Sequence, residues 1–198
     1  MSIFSMLSRY LSLRRIRRGI CLIVACVFLT GCLPLRPPPP VDAVEVLTAM
    51  QKADPQAPDG VVRVRSALAA EPDLTSPTYL RDDLFSALYG SDCLSWFTPT
   101  VLSDGSVGSP LIDDVAVYLA TVQHPFELAV FRCTDSAGAV AAAKQCQQRL
   151  NTVRQTWRGS DEEVLCARGR VEIVGTYVLL VIASDPDAVL EAARQAIS

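Results

Sequence analysis

Histidine is nearly absent from this chain: His124 is the only one in 198 residues. That excludes a metal centre built on several imidazoles, and it leaves a Ser-His-Asp arrangement one candidate base with no GxSxG turn beside it. There is no CxxC pair, no Walker-type or GxGxxG loop and no alternating-acid Ca²⁺ loop, so the sequence implies no cofactor. No internal repeat is visible. Basic residues are also scarce where they would matter. Eighteen Lys and Arg face 21 Asp and Glu, but Arg9, Arg14, Arg15, Arg17 and Arg18 all precede Cys32, where there is no acid. From Cys32 onward 13 bases face 21 acids, a net charge of −8. This balance argues against nucleic acid, which needs basic patches, and against electrostatic attachment to anionic lipid.

What is present begins with those arginines. Behind them lies a short apolar run, Gly19 to Phe28, and then Leu29-Thr30-Gly31-Cys32. The run is shorter than the roughly 20 apolar residues that a spanning helix needs, and the basic-then-apolar order suits a secretory signal. The stretch resembles a bacterial lipoprotein signal with its lipobox. That resemblance implies cleavage between Gly31 and Cys32, and a diacylglyceryl group on the Cys32 sulfur. Each buried CH₂ contributes about 0.8 kcal/mol, so two acyl chains hold where one would only visit the membrane. Next, Pro34 and Pro37-Pro38-Pro39-Pro40 favour extended polyproline II, a semi-rigid stalk. About 160 residues then remain, enough for one domain.

The resemblance to a lipoprotein signal implies that Cys21 and Cys26 leave with the signal and that Cys32 is acylated, which leaves Cys93, Cys133, Cys146 and Cys166. Four cysteines in an exported chain permit disulfides in three pairings; the alternative is four buried thiols acting as small hydrophobes.

Periodicity supplies the fold class. Val44, Leu47 and Met50 predict a helix over Val41–Ala53 with Asp42 as N-cap. Val61–Arg65 reads as a short strand. Leu80, Leu84, Phe85 and Leu88 share a face of a helix from Tyr79 to Tyr89, stopped by Gly90. Cys93–Phe97 reads as a strand or a packed turn. Val115–Val122 and Phe126–Cys133 predict a hairpin turned at His124-Pro125. Asp135 or Ser136 caps a long helix to about Arg158, with Val140, Ala143, Cys146, Leu150, Val153 and Trp157 as its apolar stripe. Val164–Ala167, Arg170–Val174 and Tyr177–Ala183 read as strands, the last apolar enough to be buried on both faces. Asp185-Pro186 opens the final helix, with Val189, Ala193 and Ile197 toward the core. The expected class is α+β: a mostly antiparallel sheet with the long helix and the C-terminal helix packed on one face. The expected parts are a signal peptide (1–31), a lipidated Cys32 with Pro-rich tether and short helix (32–60), and an extracytoplasmic domain (61–198), with the packing of Val41 to Glu71 on that domain left open.

Asp114–Leu119, Phe126–Phe131, the long Gln/Arg-rich helix and Gly175–Ile182 resemble a family of small Gram-positive lipoproteins catalogued only as a domain of unknown function. Leu88-Tyr89-Gly90 fits its usual lead-in. The resemblance spans roughly Tyr79 to Ser198 and implies no catalytic residues.

Candidate chemistry is sparse. His124 reads as an exposed turn residue. Asp113-Asp114, Asp161-Glu162-Glu163 and Asp82-Asp83 read as solvated charge, although paired carboxylates can perform acid/base work. Tyr118, Tyr177 and Trp157 read as packing residues; Trp96-Phe97 reads as buried or, if exposed, as a partner patch. The functional expectation is a lipid-anchored extracytoplasmic lipoprotein, a non-enzymatic binding module whose partners are the membrane, through its lipid, and an envelope protein or peptide. The alternatives are an envelope hydrolase using acidic residues, or a small ligand-binding lipoprotein.

Overall fold

A computed structural model describes residues 40–67, 75–99, 101 and 103–198. Gly31 and Cys32, with the signal and the proline run before Pro40, lie outside the described residues. Five strands form one antiparallel sheet in the order β1-β2-β3-β5-β4. They are β1 (Gly60–Ser66), β2 (Ile112–Ala120), β3 (Glu127–Cys133), β4 (Arg170–Val174) and β5 (Tyr177–Ile182). The helices are α1 (Ala43–Ala53), α2 (Asp82–Tyr89), α3 (Ser136–Thr156), α4 (Glu163–Arg168) and α5 (Pro186–Ile197), with a 3₁₀ helix at Ser91–Phe97. The chain is an α+β protein.

Every residue of β3 and β5 is buried. Successive side chains on a strand point to opposite faces, so these two strands demand cover on both sides. They receive it. Ala129, Phe131, Val178, Leu180 and Ile182 pack beneath α2, the 3₁₀ helix and α3. Leu128, Val130, Leu179 and Val181 pack beneath α1 and α5. The expectation of both C-terminal helices on one face is therefore corrected: α3 and α5 cover opposite faces. Central strands buried along their whole length left no face to turn to water.

The domain boundary moves for the same reason. Ala43, Val46, Leu47 and Met50 of α1 are within 1% of full burial, so α1 is part of the core rather than of the tether. The compact unit begins at Pro40, not at Val61. Asp42 stands at the predicted cap position, but its carboxylate makes no cap bond. A tertiary acid does that work: Asp114 Oδ2 accepts the Ala43 N–H at 2.9 Å.

Two further local readings change. Val164–Ala167 lies in helix α4, not in a strand; a four-residue apolar run cannot by itself separate the two. On α3 the buried line in the first turns is Gly138, Ala139 and Ala142, and Val140 is exposed. Small residues let that end of the helix press close: a Cβ on Gly138 would stand 2.7 Å from the Leu111 carbonyl oxygen. The predicted N-cap holds, with Asp135 Oδ1 accepting the Gly138 N–H at 2.7 Å. Likewise Asp185 caps α5, where Pro186 opens the helix.

Candidate functional site

Two charged side chains break the apolar runs of β3, one at each end and one on each face. Glu127 lies under α3 and is 2% exposed. Its Oε2 accepts from Arg149 Nε at 2.9 Å and Nη2 at 2.7 Å, and its Oε1 accepts from the Tyr89 hydroxyl at 3.0 Å. Burying a carboxylate costs several kcal/mol unless donors surround it; here three do. Burial pushes the Tyr89 phenol well above its ordinary value, and the Glu127 charge adds to that. For Arg149 burial works against the charged form, but the attraction of Glu127 outweighs it and raises the guanidinium's value.

At the other end Arg132 lies under α1. Its Nη1 donates to Asp42 Oδ1 at 3.0 Å, and the Tyr177 hydroxyl donates to the Val41 carbonyl at 2.7 Å. With Asp114 on Ala43 N–H, these bonds fasten the chain where it enters the domain. Arg132 Nε is buried without a partner among the described residues. Asp114 feels burial first, which lifts its carboxyl above the ordinary value, while the Ala43 N–H and the Arg132 charge pull the other way.

A cavity of about 230 Å³ opens beside Glu127 and Arg149. Its lining also includes Leu88 of α2, Leu119 of β2, His124 and Phe126 of the β2–β3 connection, and Val153 and Trp157 at the end of α3. His124 is at a turn as expected, but its side chain is only 25% exposed, which corrects the reading of a free surface residue. Its Nδ1 accepts the Phe126 N–H at 3.1 Å, and its Nε2 lies 3.5 Å from Glu162 Oε2, a long contact rather than a firm hydrogen bond.

The other candidates are dispersed. Cys93, Cys133, Cys146 and Cys166 are free, buried thiols, all facing the core under α3. Burial, helped by Asp92, pushes Cys93 up to about 11; burial with Asp113 and Asp135 nearby pushes Cys133 up to about 12. Cys146 is also held well above its ordinary value by burial. Asp114, read as solvated, is buried. Asp82 and Asp83 are exposed in the first turn of α2, where Asp82 accepts from Arg65. Asp161 and Glu163 are exposed, and Glu163 accepts the Gly159 N–H. Phe97 is buried with the Arg65 guanidinium 4.5 Å from its ring centre, and Trp96 is half-buried. Tyr118 and Tyr177 are buried packing residues, as read. Among the described residues no group of three or more His, Cys, Asp or Glu is placed to hold a metal ion, and no helix is long and apolar enough to cross a membrane.

Sequence reasoning missed Glu127, Arg149, Tyr89 and Arg132. The signal was present: a lone acid at the start of a strand whose next four residues are apolar, and an arginine three residues after Cys146 and four before Val153 on the same helix flank. No family model, no curated protein and no solved structure matches the chain.

Proposed function

We propose that this protein is a lipid-anchored extracytoplasmic lipoprotein, held by acyl chains on Cys32, whose domain serves as a non-enzymatic binding module of the cell envelope. The observation that carries the anchoring is the order Arg-rich segment, short apolar run, Leu29-Thr30-Gly31-Cys32. The placement of the cavity supports the binding half. The chain enters the domain at the Asp114–Arg132 end of the β2–β3 pair, and the cavity lies at the Leu119–Glu127 end. At about 3.3 Å per residue these ends are roughly 17–20 Å apart. A domain fastened at one end thus presents its cavity at the other, away from the point of attachment.

The hydrolase alternative needs two acids with free oxygens converging on one space. The acid lining this cavity, Glu127, has both oxygens engaged, which favours binding over acid/base work. Phase partition of wild type and Cys32→Ala tests the anchor: the wild type enters the detergent phase and the variant stays aqueous, and equal partition of the two rejects it. Crosslinking from intact cells tests the module: a specific envelope protein or peptide supports it, whereas no partner together with hydrolytic activity of the purified protein rejects it.

A further inference from the structure

The spare hydrogen-bonding capacity of the cavity is one-sided. Arg149 spends Nε and Nη2 on Glu127, and its Nη1 has no protein partner among the described residues. That Nη1 is not sealed in, since Arg132 Nε is the buried side-chain polar atom lacking a partner there. A guanidinium nitrogen can only donate. His124 spends Nδ1 as an acceptor, and its Nε2 faces Glu162 Oε2 at 3.5 Å, so the ring adds no free donor. The acceptor in the lining, Glu127, already receives three hydrogen bonds. The remaining wall is apolar, with Leu88, Leu119, Phe126, Val153 and Trp157 supplying its large side chains.

An unspent guanidinium donor beside an apolar wall calls for a ligand that brings an acceptor oxygen on an apolar body. Size narrows it. A dry apolar cavity of about 150 Å³ accommodates benzene, so the 230 Å³ here suits about ten non-hydrogen atoms. We propose that this cavity is a ligand site for one apolar ring or branched chain bearing a carbonyl or carboxylate oxygen, the size of a single residue of a peptide or of a free aromatic acid. The oxygen docks on Arg149 Nη1, and the body packs against Trp157 and Leu88. The proposal rests on the binding-module reading and supplies its ligand class.

The test uses the mature lipoprotein in lipid nanodiscs. The probes are phenylacetate, phenylacetamide and, as a donor-only control of similar size, 2-phenylethylammonium. Binding is followed by the shift of the Trp157 indole N–H resonance, assigned with Trp157→Phe. The oxygen-bearing probes should saturate with a Kd of about 1–10 mM, the ordinary strength for ten atoms, and the ammonium probe should bind at least about tenfold more weakly. Arg149→Lys keeps a charge for Glu127 but removes Nη1; Leu88→Trp fills the cavity from its half-buried rim. Each should weaken binding by at least about tenfold. Saturation by phenylacetate alone assigns the site to an anionic end; saturation by phenylacetamide as well assigns it to a neutral carbonyl. Absence of saturation by either, equal binding of the ammonium probe, or unchanged affinity in Leu88→Trp overturns the proposal. A failure here combined with release of Cys32→Ala from the detergent phase sinks the ligand assignment alone and leaves the anchor standing.

Discussion

Arg149→Met should be among the most damaging single changes on α3, although Arg149 is not an apolar core residue. Glu127 is 2% exposed and takes two of its three hydrogen bonds from Arg149. Deleting the guanidinium leaves a buried carboxylate with one neutral phenol as donor. Breaking a buried pair from one side costs about 3–5 kcal/mol. The Arg149 side chain is 21% exposed and borders an open cavity, so water softens the loss and about 3 kcal/mol is expected. For a domain of this size each kcal/mol moves Tm by about 2–4 °C, which gives a fall of roughly 6–12 °C. The second arm separates charge burial from lost packing. Glu127→Gln added to Arg149→Met removes the stranded charge and keeps an acceptor for Tyr89, so the double variant should recover about 1.5 kcal/mol despite carrying two changes. Urea and thermal unfolding of the purified protein, followed by circular dichroism, measure both. A cost below about 1 kcal/mol for Arg149→Met, or a double variant less stable than the single, would refute the reasoning.

Asp114→Asn keeps an acceptor for Ala43 N–H but removes a carboxyl whose value burial raises. A raised folded-state value favours folding below the ordinary carboxylate range and loses that contribution as pH climbs through the folded value. The stability of the variant relative to wild type should therefore improve from pH 3 to pH 7, and a flat or opposite trend in paired urea titrations contradicts the assignment. Cys93 and Cys133, held at about 11 and about 12, should be only about one part in a thousand and one part in ten thousand thiolate at pH 8. In native protein both should resist iodoacetamide there, while in denatured protein without reductant both should be alkylated in peptide mapping; failure of either to react when denatured would reveal a disulfide. Gly138→Ala should cost about 1–3 kcal/mol, because a Cβ meets the Leu111 carbonyl at 2.7 Å and α3 must move off the sheet; a neutral result in thermal melts counts against that close approach. Tyr177→Phe removes the hydrogen bond to the Val41 carbonyl and should cost about 1 kcal/mol, with hydrogen exchange accelerated first in α1; exchange changed uniformly along the chain would show that this bond does not pin the entry.

Local pattern was enough for much of the architecture. The β2–β3 hairpin, the span of α3 between Asp135 and Trp157, the β4–β5 pair and the Pro-opened α5 were all legible, because caps, turns and two- or four-residue periodicity act between neighbours in sequence. The antiparallel α+β class followed from short links between strands. The amino-acid order also fixed the acidic charge from Cys32 onward and its single histidine. Tertiary structure decided the rest. Nothing in α1 names the face it covers, since only the sheet's second apolar surface gives Val46, Leu47 and Met50 somewhere to go. Nothing beside Asp114 marks it as the cap of a helix 71 residues earlier. Glu127, Arg149 and Tyr89 come from three elements, and their meeting is set by the register of β3 against β2 and β5 and by the seating of α3. Pairing a charge over such separations depends on the packing of α2, α3 and β3 against one another, so the cavity beside them is a property of the fold and not of any segment.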